Sequence, residues 1–162
     1  MGDVELIEVT EDDKSVLANL MQFYCYDMSA VRGYDMTEHG TYTYRYVDHY
    51  FLEADRDAYL LRHDGALAGF VMSRELPTGE REVAEFFVVR RHRRAGVGAR
   101  AAAALFATHP GRWVVAYDDL NPDGAAFWPD VVRRVAVDEV RHEHSGPPAR
   151  AYERTVLRFV SA

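Results

Sequence analysis

Apolar and polar positions switch between two periods along this chain, and the switches predict its elements. Val4 to Val9 alternates as a strand does. Thr10, Asp12 and Asp13 then offer capping side chains ahead of Val16, Leu17, Leu20, Met21 and Tyr24, which recur at helical spacing. Ala58 to Arg62 and Ala66 to Arg74 read as strands joined by the turn His63-Asp64-Gly65, and Leu76 to Glu80 turns the chain into a β-branched and aromatic run, Glu82 to Val89. Together they predict an antiparallel meander. An alanine-rich stretch after Gly98 predicts a helix, which His109-Pro110-Gly111 stops before a strand from Trp113 to Tyr117. Strand, helix, strand in that order requires a right-handed crossover between parallel strands. Asn121-Pro122-Asp123-Gly124 breaks the chain ahead of a further helix from about Ala125 to Arg133. The tail offers strands at Val135 to Val140 and Tyr152 to Val160, separated by a Gly146-Pro147-Pro148 loop.

Composition narrows the class. At 162 residues and 48% hydrophobic content, one domain spanning 1–162 is expected, with a core that needs no staples. Cys25 is the sole cysteine, so an intrachain disulfide and a cysteine-based zinc site are excluded. The seven histidines form no ligand set: His142 and His144 lie two apart on an expected strand without a carboxylate-rich partner segment, so no metal is expected. The acidic start has no apolar signal core, Leu6 stands where myristoylation wants Ser or Thr, and no apolar run approaches the ~18 residues of a membrane span. The expectation is a cytoplasmic protein without membrane contact. A net charge of -7 argues against DNA or broad RNA binding. Lys14 is the only lysine among 19 basic residues, an arginine bias that points to a GC-rich bacterial genome.

The positive charge is concentrated in one place. Between the Glu82 strand and the alanine-rich helix lies RRHRRAGVG, where Arg90, Arg91, Arg93 and Arg94 crowd a glycine turn. A helix that starts there offers unpaired N–H groups and a favourable dipole to an anion, so the turn reads as a phosphate cradle with an arginine rim. A P-loop would close on Gly-Lys-Ser/Thr, but Ala99-Arg100 follows Gly98. Gly96, Gly98 and Ala101 fit a dinucleotide fingerprint with Asp118 downstream, yet Arg90 to Ala95 separate the first glycine from the strand it should end. The remaining pattern is R-x-x-G-x-G, Arg93 to Gly98, behind an apolar strand. In this the chain resembles the GNAT (Gcn5-related N-acetyltransferase) family, most clearly over Ala66 to Arg133.

The resemblance implies an α/β (α+β) fold whose central mixed, mostly antiparallel sheet is flanked by helices and splayed at an acyl-CoA site. It implies an N-acyltransferase moving an acetyl or other acyl group from acyl-CoA to a primary amine by direct transfer. Backbone groups of Phe87, Val88 and Val89 would bind pantetheine, and Arg93 with the amides of Arg94, Ala95, Gly96, Val97, Gly98 and Ala99 would hold the pyrophosphate. Asn121 and Phe127 match the family's later signature, but Trp128 stands near the place of the usual tyrosine acid, which leaves Tyr117 as the reserve proton donor. Glu82 occupies the place of a catalytic glutamate, with Glu85 three residues on. Residues three apart on a regular strand face opposite ways, so one of the two is expected to line the site unless a bulge intervenes. Neither a Ser-His-Asp set nor a nucleophilic cysteine is supported, and direct transfer needs none.

The acceptor side is sought in Tyr24 to Phe51, where Tyr24, Tyr26, Tyr34, Tyr42, Tyr44, Tyr46 and Tyr50 interleave with Asp27, Asp35, Glu38 and Asp48. Tyrosines with carboxylates form a wall that can recognise an amine. Tyr24, Tyr26, Asp27, Tyr34 and Trp128 are the candidate acceptor residues, and a small-molecule amine is the expected partner. Two other readings keep the fold: an enzyme taking its acyl group from aminoacyl-tRNA, and a noncatalytic acyl-CoA-binding module. Monomer and homodimer are both compatible with the sequence.

Overall fold

The computed structural model describes residues 2–149 and 151–162. Its strands are β1 (Val4–Glu8), β2 (Arg56–His63), β3 (Ala66–Glu75), β4 (Arg81–Val88), β5 (Gly111–Asp118), β6 (Arg141–Ser145) and β7 (Arg154–Ser161). They form one open seven-stranded sheet in the order β1-β2-β3-β4-β5-β7-β6. The β4–β5 pair is parallel, as the helix crossing between them requires, and every other pair is antiparallel. The helices are α1 (Lys14–Arg32), the single turn α2 (His49–Leu52), α3 (Val97–Thr108) and α4 (Pro122–Val135). The α/β architecture expected from the sequence, a mixed and mostly antiparallel sheet flanked by helices, is therefore present.

Each face of the sheet is covered by a helix stripe that the apolar period dictates. On one face, Leu17, Leu20, Met21 and Cys25 of α1 pack against Leu60, Phe70, Met72 and Phe87. On the other, Ala102, Leu105 and Phe106 of α3 and Trp128, Val131 and Val132 of α4 close over Val71, Trp113, Val115, Leu157 and Phe159. Burying one such large apolar side chain stabilises the fold by about 1.5–3 kcal/mol, so this two-sided core dominates the fold's stability.

One expected strand is displaced. Val135 to Val140 reads as a strand, but α4 continues to Val135, and Ala136 makes only an isolated bridge to Ser161. Trp128, Val131, Val132 and Val135 sit at helical spacing and all meet the core. The strand itself is Arg141–Ser145, whose sequence RHEHS carries no apolar side chain. An outer edge strand with neither face covered needs none, and its charges discourage pairing with other chains.

Two irregularities in β4 build the site. β4 and β5 pair only at Arg81↔Trp113 and Glu82↔Val114, and beyond that point the strands separate. Just there the β3–β4 register jumps: Ser73 faces Val83 and Met72 faces Glu85, leaving Ala84 as the extra residue of a bulge. The bulge cancels one step of alternation. Val83 and Phe86 both pack towards α3 and α4, while Glu82 and Glu85 both turn towards α1. The two glutamates therefore share a face, the exception the sequence reading allows wherever a bulge intervenes.

Candidate active site

Beyond Val89 the chain makes a 3-10 turn, Arg90–His92, and enters α3 through two left-handed residues, Arg94 at φ 64° and Gly96 at φ 73°. Gly96 is the N-cap and has no side chain to cap with. Among the described residues, the amide N–H groups of Arg94 to Ala99 have no hydrogen-bond acceptor. Six consecutive donors at the positive end of a helix dipole suit a diphosphate. A Cβ at Gly96 would meet only the Arg100 Nε, at 4.0 Å, so the space over the turn is open. Gly98 differs: a Cβ there would lie 3.1 Å from the Phe127 ring and 3.8 Å from Phe86.

The loop arginines divide into braces and rim. Arg93 donates from Nε to the Val88 carbonyl at 2.6 Å and from Nη2 to Asp27 of α1 at 2.6 Å, with its guanidinium over the Phe87 ring. Arg100 donates to the carbonyls of Ala95, Gly96 and Gly2. These two hold the loop in shape. Arg91 and Arg94 stand exposed around it as the rim. Asp27, expected on the acceptor side, thus sits against the loop, where Arg90 reaches it as well at 3.4 Å.

Down the strand from the loop, Glu85 is half-buried at the edge where β4 leaves β5. Tyr44 donates to Glu85 Oε1 at 3.3 Å and the Tyr24 hydroxyl faces the same carboxyl. Burial pushes Glu85 above the ordinary carboxylate range, outweighing the Tyr24 and Tyr44 hydrogen bonds and the Arg32 charge that pull it down. Glu82 lies on the same face but is bound to Arg74, Nε to Oε2 at 2.6 Å. A proton acceptor needs an unneutralised carboxylate within reach of substrate, and of the two Glu85 is the one without an arginine partner among the described residues.

A carboxyl held above its ordinary range costs stability. The unfolded chain ionises Glu85 at about 4.3, so as pH rises from there through the raised native value, the unfolded state gains and the fold weakens. Glu85→Gln is therefore expected to melt higher than the parent at neutral pH, with the gap closing below about pH 4. Thermal unfolding at the two pH values measures this, and a lower melting temperature at neutral pH would contradict it.

Other expected site residues are spread around this centre. Tyr26 is 63% exposed and turns outward from α1. Tyr34 follows the end of α1, its hydroxyl accepting from Arg32 Nη1 at 3.0 Å. Asn121 caps α4, with its carboxamide towards the Met28 sulfur. Tyr117 packs on the α3/α4 face of β5, whereas Glu85 turns towards α1 on the other face. Phe127 and Trp128 form an aromatic cluster with Phe86, and Trp128, at 8% exposure, lies in the core and offers no acceptor surface. Phe87, Val88 and Val89 form the strand edge that runs from Glu85 to the loop.

Two features escaped the sequence reading. Tyr44 belongs to the tyrosine wall, but nothing in its spacing marks it as the one that reaches Glu85. Arg32 and Asp118 form a pair at 2.6 Å on the far side of the opening, with Asp118 only 3% exposed. Their signal is legible in hindsight: Tyr24, Met28 and Arg32 repeat every four residues on α1, and Asp118 ends β5 directly behind the run Trp113 to Tyr117.

A groove of about 570 Å³ adjoins Tyr44. Ala18, Met21 and Val47 contribute apolar surface, Tyr42 and Tyr44 aromatic surface, and Glu11, Asp12 and Asp48 acidic surface, while Lys14 is drawn to Asp48 at 2.5 Å. Gln22 bonds both the N–H and the C=O of Tyr42, at 2.7 and 2.8 Å, which fixes the tyrosine segment against α1. Among the described residues, no group of three or more His, Cys, Asp or Glu is placed to hold a metal ion, and no helix is long and apolar enough to cross a membrane.

Comparisons with known proteins bear on this geometry. The acetyltransferase (GNAT) family profile matches residues 22–128. An acetyltransferase from Thermus thermophilus superposes with TM-score 0.69 at 19% identity, covering 99% of each chain. RimL, a ribosomal L7/L12 alpha-N-protein acetyltransferase solved with coenzyme A, gives TM-score 0.65 at 14% identity over 98% of this chain and 94% of its own. A chimera of spermidine N-acetyltransferase SpeG from Vibrio cholerae and hSSAT gives 0.64 at 10% identity, covering 97% and 95%. No curated protein matches the chain.

Proposed function

Because the chain belongs to the acetyltransferase (GNAT) family and is thus an enzyme that uses acetyl-CoA, we propose that it acetylates a primary amine of a small molecule by direct transfer, with Glu85 as the base. The observation that carries this reading is the placement of Glu85: a carboxyl with no arginine partner among the described residues, raised by burial, at the split strand edge that leads into the α3 amides. Acetyl-CoA supplies the activated acetyl thioester. The α3 turn would hold its diphosphate, with Arg91 and Arg94 at the rim, and the free edge of Phe87 to Val89 would take the pantetheine amides.

An amine is protonated at neutral pH and cannot attack until it loses that proton. Glu85, with a proton affinity above that of an ordinary carboxyl, is suited to accept it, directly or through water. Tyr24 and Tyr44 orient the carboxylate. A thiolate is a weakly basic leaving group, with a thiol pKa of about 8.5 by side-chain analogy, so an acid contributes less here than the base does. Tyr117 on β5 is the reserve donor.

The acceptor is a cation before it reacts, and the groove beside Tyr44 suits one. With Glu11, Asp12 and Asp48 set against Lys14, its formal balance is negative, and its apolar surface can take a hydrocarbon body. The test is acetyl transfer from radiolabelled acetyl-CoA to a panel of alkyl and aryl amines, diamines and neutral alcohols. Transfer is expected to cationic amines, and Asp12→Asn is expected to raise their KM with little change in kcat. Transfer to none of the amines, with acetyl-CoA bound, would overturn the acceptor assignment.

A further inference from the structure

Tyr24, Met28 and Arg32 lie one turn apart along α1, and their partners lie across the opening between β4 and β5. Tyr24 faces Glu85 on β4, Met28 meets the Asn121 carboxamide beyond β5, and Arg32 grips Asp118 at the end of β5. The Arg32–Asp118 contact is two-pronged, Nε to Oδ2 at 2.6 Å and Nη2 to Oδ1 at 3.1 Å. The remaining Nη1 donates to the Tyr34 hydroxyl, and the guanidinium lies 4.8 Å from the centre of the Tyr152 ring. One arginine thus ties the end of α1 to β5, to the chain after α1 and to the segment before β7.

The same guanidinium acts electrostatically on both Glu85 and Tyr24. Facing Glu85 are Tyr24, Cys25 and Arg32 from α1, Tyr44 and Tyr50 from the segment over the sheet, and Glu82 from its own strand. Among these groups Arg32 carries the positive charge. Facing Arg32 are Tyr24, Tyr34 and Asp118, and the Asp118 hydrogen bond keeps the guanidinium firmly charged although burial works against it. Asp118, bound to the guanidinium at 2.6 and 3.1 Å, is the anion set against that charge.

The geometry points to Arg32 and Asp118 as a positioning pair for the transfer reaction, one that fixes the wall opposite Glu85 and sets the net charge this carboxyl faces. The inference rests on the reading of Glu85 as the base, but its two members can be separated experimentally because they carry opposite signs. Asp118→Asn keeps the shape, removes the anion and leaves Arg32 uncompensated, so the Glu85 carboxylate should be favoured and its titration should move to lower pH. Arg32→Gln removes the cation, and the titration should move to higher pH. A pair that served only as a structural tie would shift neither, or both alike.

The experiment is an NMR titration of the Glu85 side-chain carboxyl resonance in the full chain, assigned by its loss in Glu85→Gln, for the parent, Asp118→Asn and Arg32→Gln. Opposite displacements are expected, each of about half a pH unit or more, equivalent to about threefold in the proton dissociation constant. The acid limb of kcat/KM should move with them. Unchanged midpoints, or midpoints moving the same way, overturn the inference. If Arg32→Gln does not fold, the near-isosteric Asp118→Asn decides alone: a midpoint that stays or rises overturns it. The titration needs neither acetyl-CoA nor acceptor. If the acid limb of kcat/KM survives in Glu85→Gln, the base assignment fails, whereas the resonance still reports whether the pair sets the charge at residue 85.

Discussion

Glu85→Gln is expected to lower kcat/KM by about 10²-fold or more, a loss of about 2.7 kcal/mol in transition-state stabilisation. Glutamine keeps the volume and can still accept from Tyr44, so what is lost is proton affinity alone. The parent profile should fall as pH drops through the raised Glu85 value, because the protonated carboxyl cannot take the ammonium proton. That limb should vanish in the variant. Glu82→Gln is the matched control: the same change on the same face, at a carboxylate already held by Arg74. It should leave the limb in place and the rate near that of the parent. If both glutamine variants keep parental rates and profiles, the base is water or the substrate itself, and the chemistry assigned to this edge is wrong even though the fold is not.

The gain in stability expected of the same variant strengthens this contrast. A carboxylate kept out of water with no cation bound to it among the described residues is a cost that folding alone does not require. A variant that is slower yet melts higher would indicate that the cost is borne for catalysis. A residue whose role was only to hold Tyr24 and Tyr44 in place would lower both quantities.

Legibility in the sequence followed the range of the forces involved. The glycine turn before α3 was readable because its requirements are local: unpaired amides, a left-handed Gly96 and an apolar strand leading in all lie within one stretch. The meander and the crossover were readable for the same reason. The bulge at Ala84 was not, since it exists only as a mismatch between β3 and β4, and it alone decides that Glu82 and Glu85 share a face. Nor was the division of labour among the arginines, which spacing cannot separate: Arg93 looks like a phosphate ligand in sequence, yet it is taken up by Asp27 and the Val88 carbonyl. The bounds of the strand Arg141–Ser145 were not readable, although His142 and His144 were expected on a strand, because an uncovered edge leaves no apolar period to read.

The second large effect is expected at Gly98. Gly98→Val should abolish measurable acetyl-CoA binding while the fold survives, since one overpacked contact costs about 1–3 kcal/mol and the two-sided core is far larger. Two causes converge there. The amide of residue 98 belongs to the unpaired set at the start of α3, and a branched side chain would hold a diphosphate away from it. The new Cβ would also press on Phe127 from 3.1 Å, moving a ring that stacks with Phe86 beside the strand edge. Calorimetric titration with coenzyme A separates them once Phe127→Ala is added. If the backbone approach is what matters, Gly98→Val/Phe127→Ala should bind as poorly as Gly98→Val. Recovery of parental affinity in the double variant would place the effect in the aromatic contact. Parental affinity in a folded Gly98→Val single variant would mean that the diphosphate lies elsewhere than on this turn.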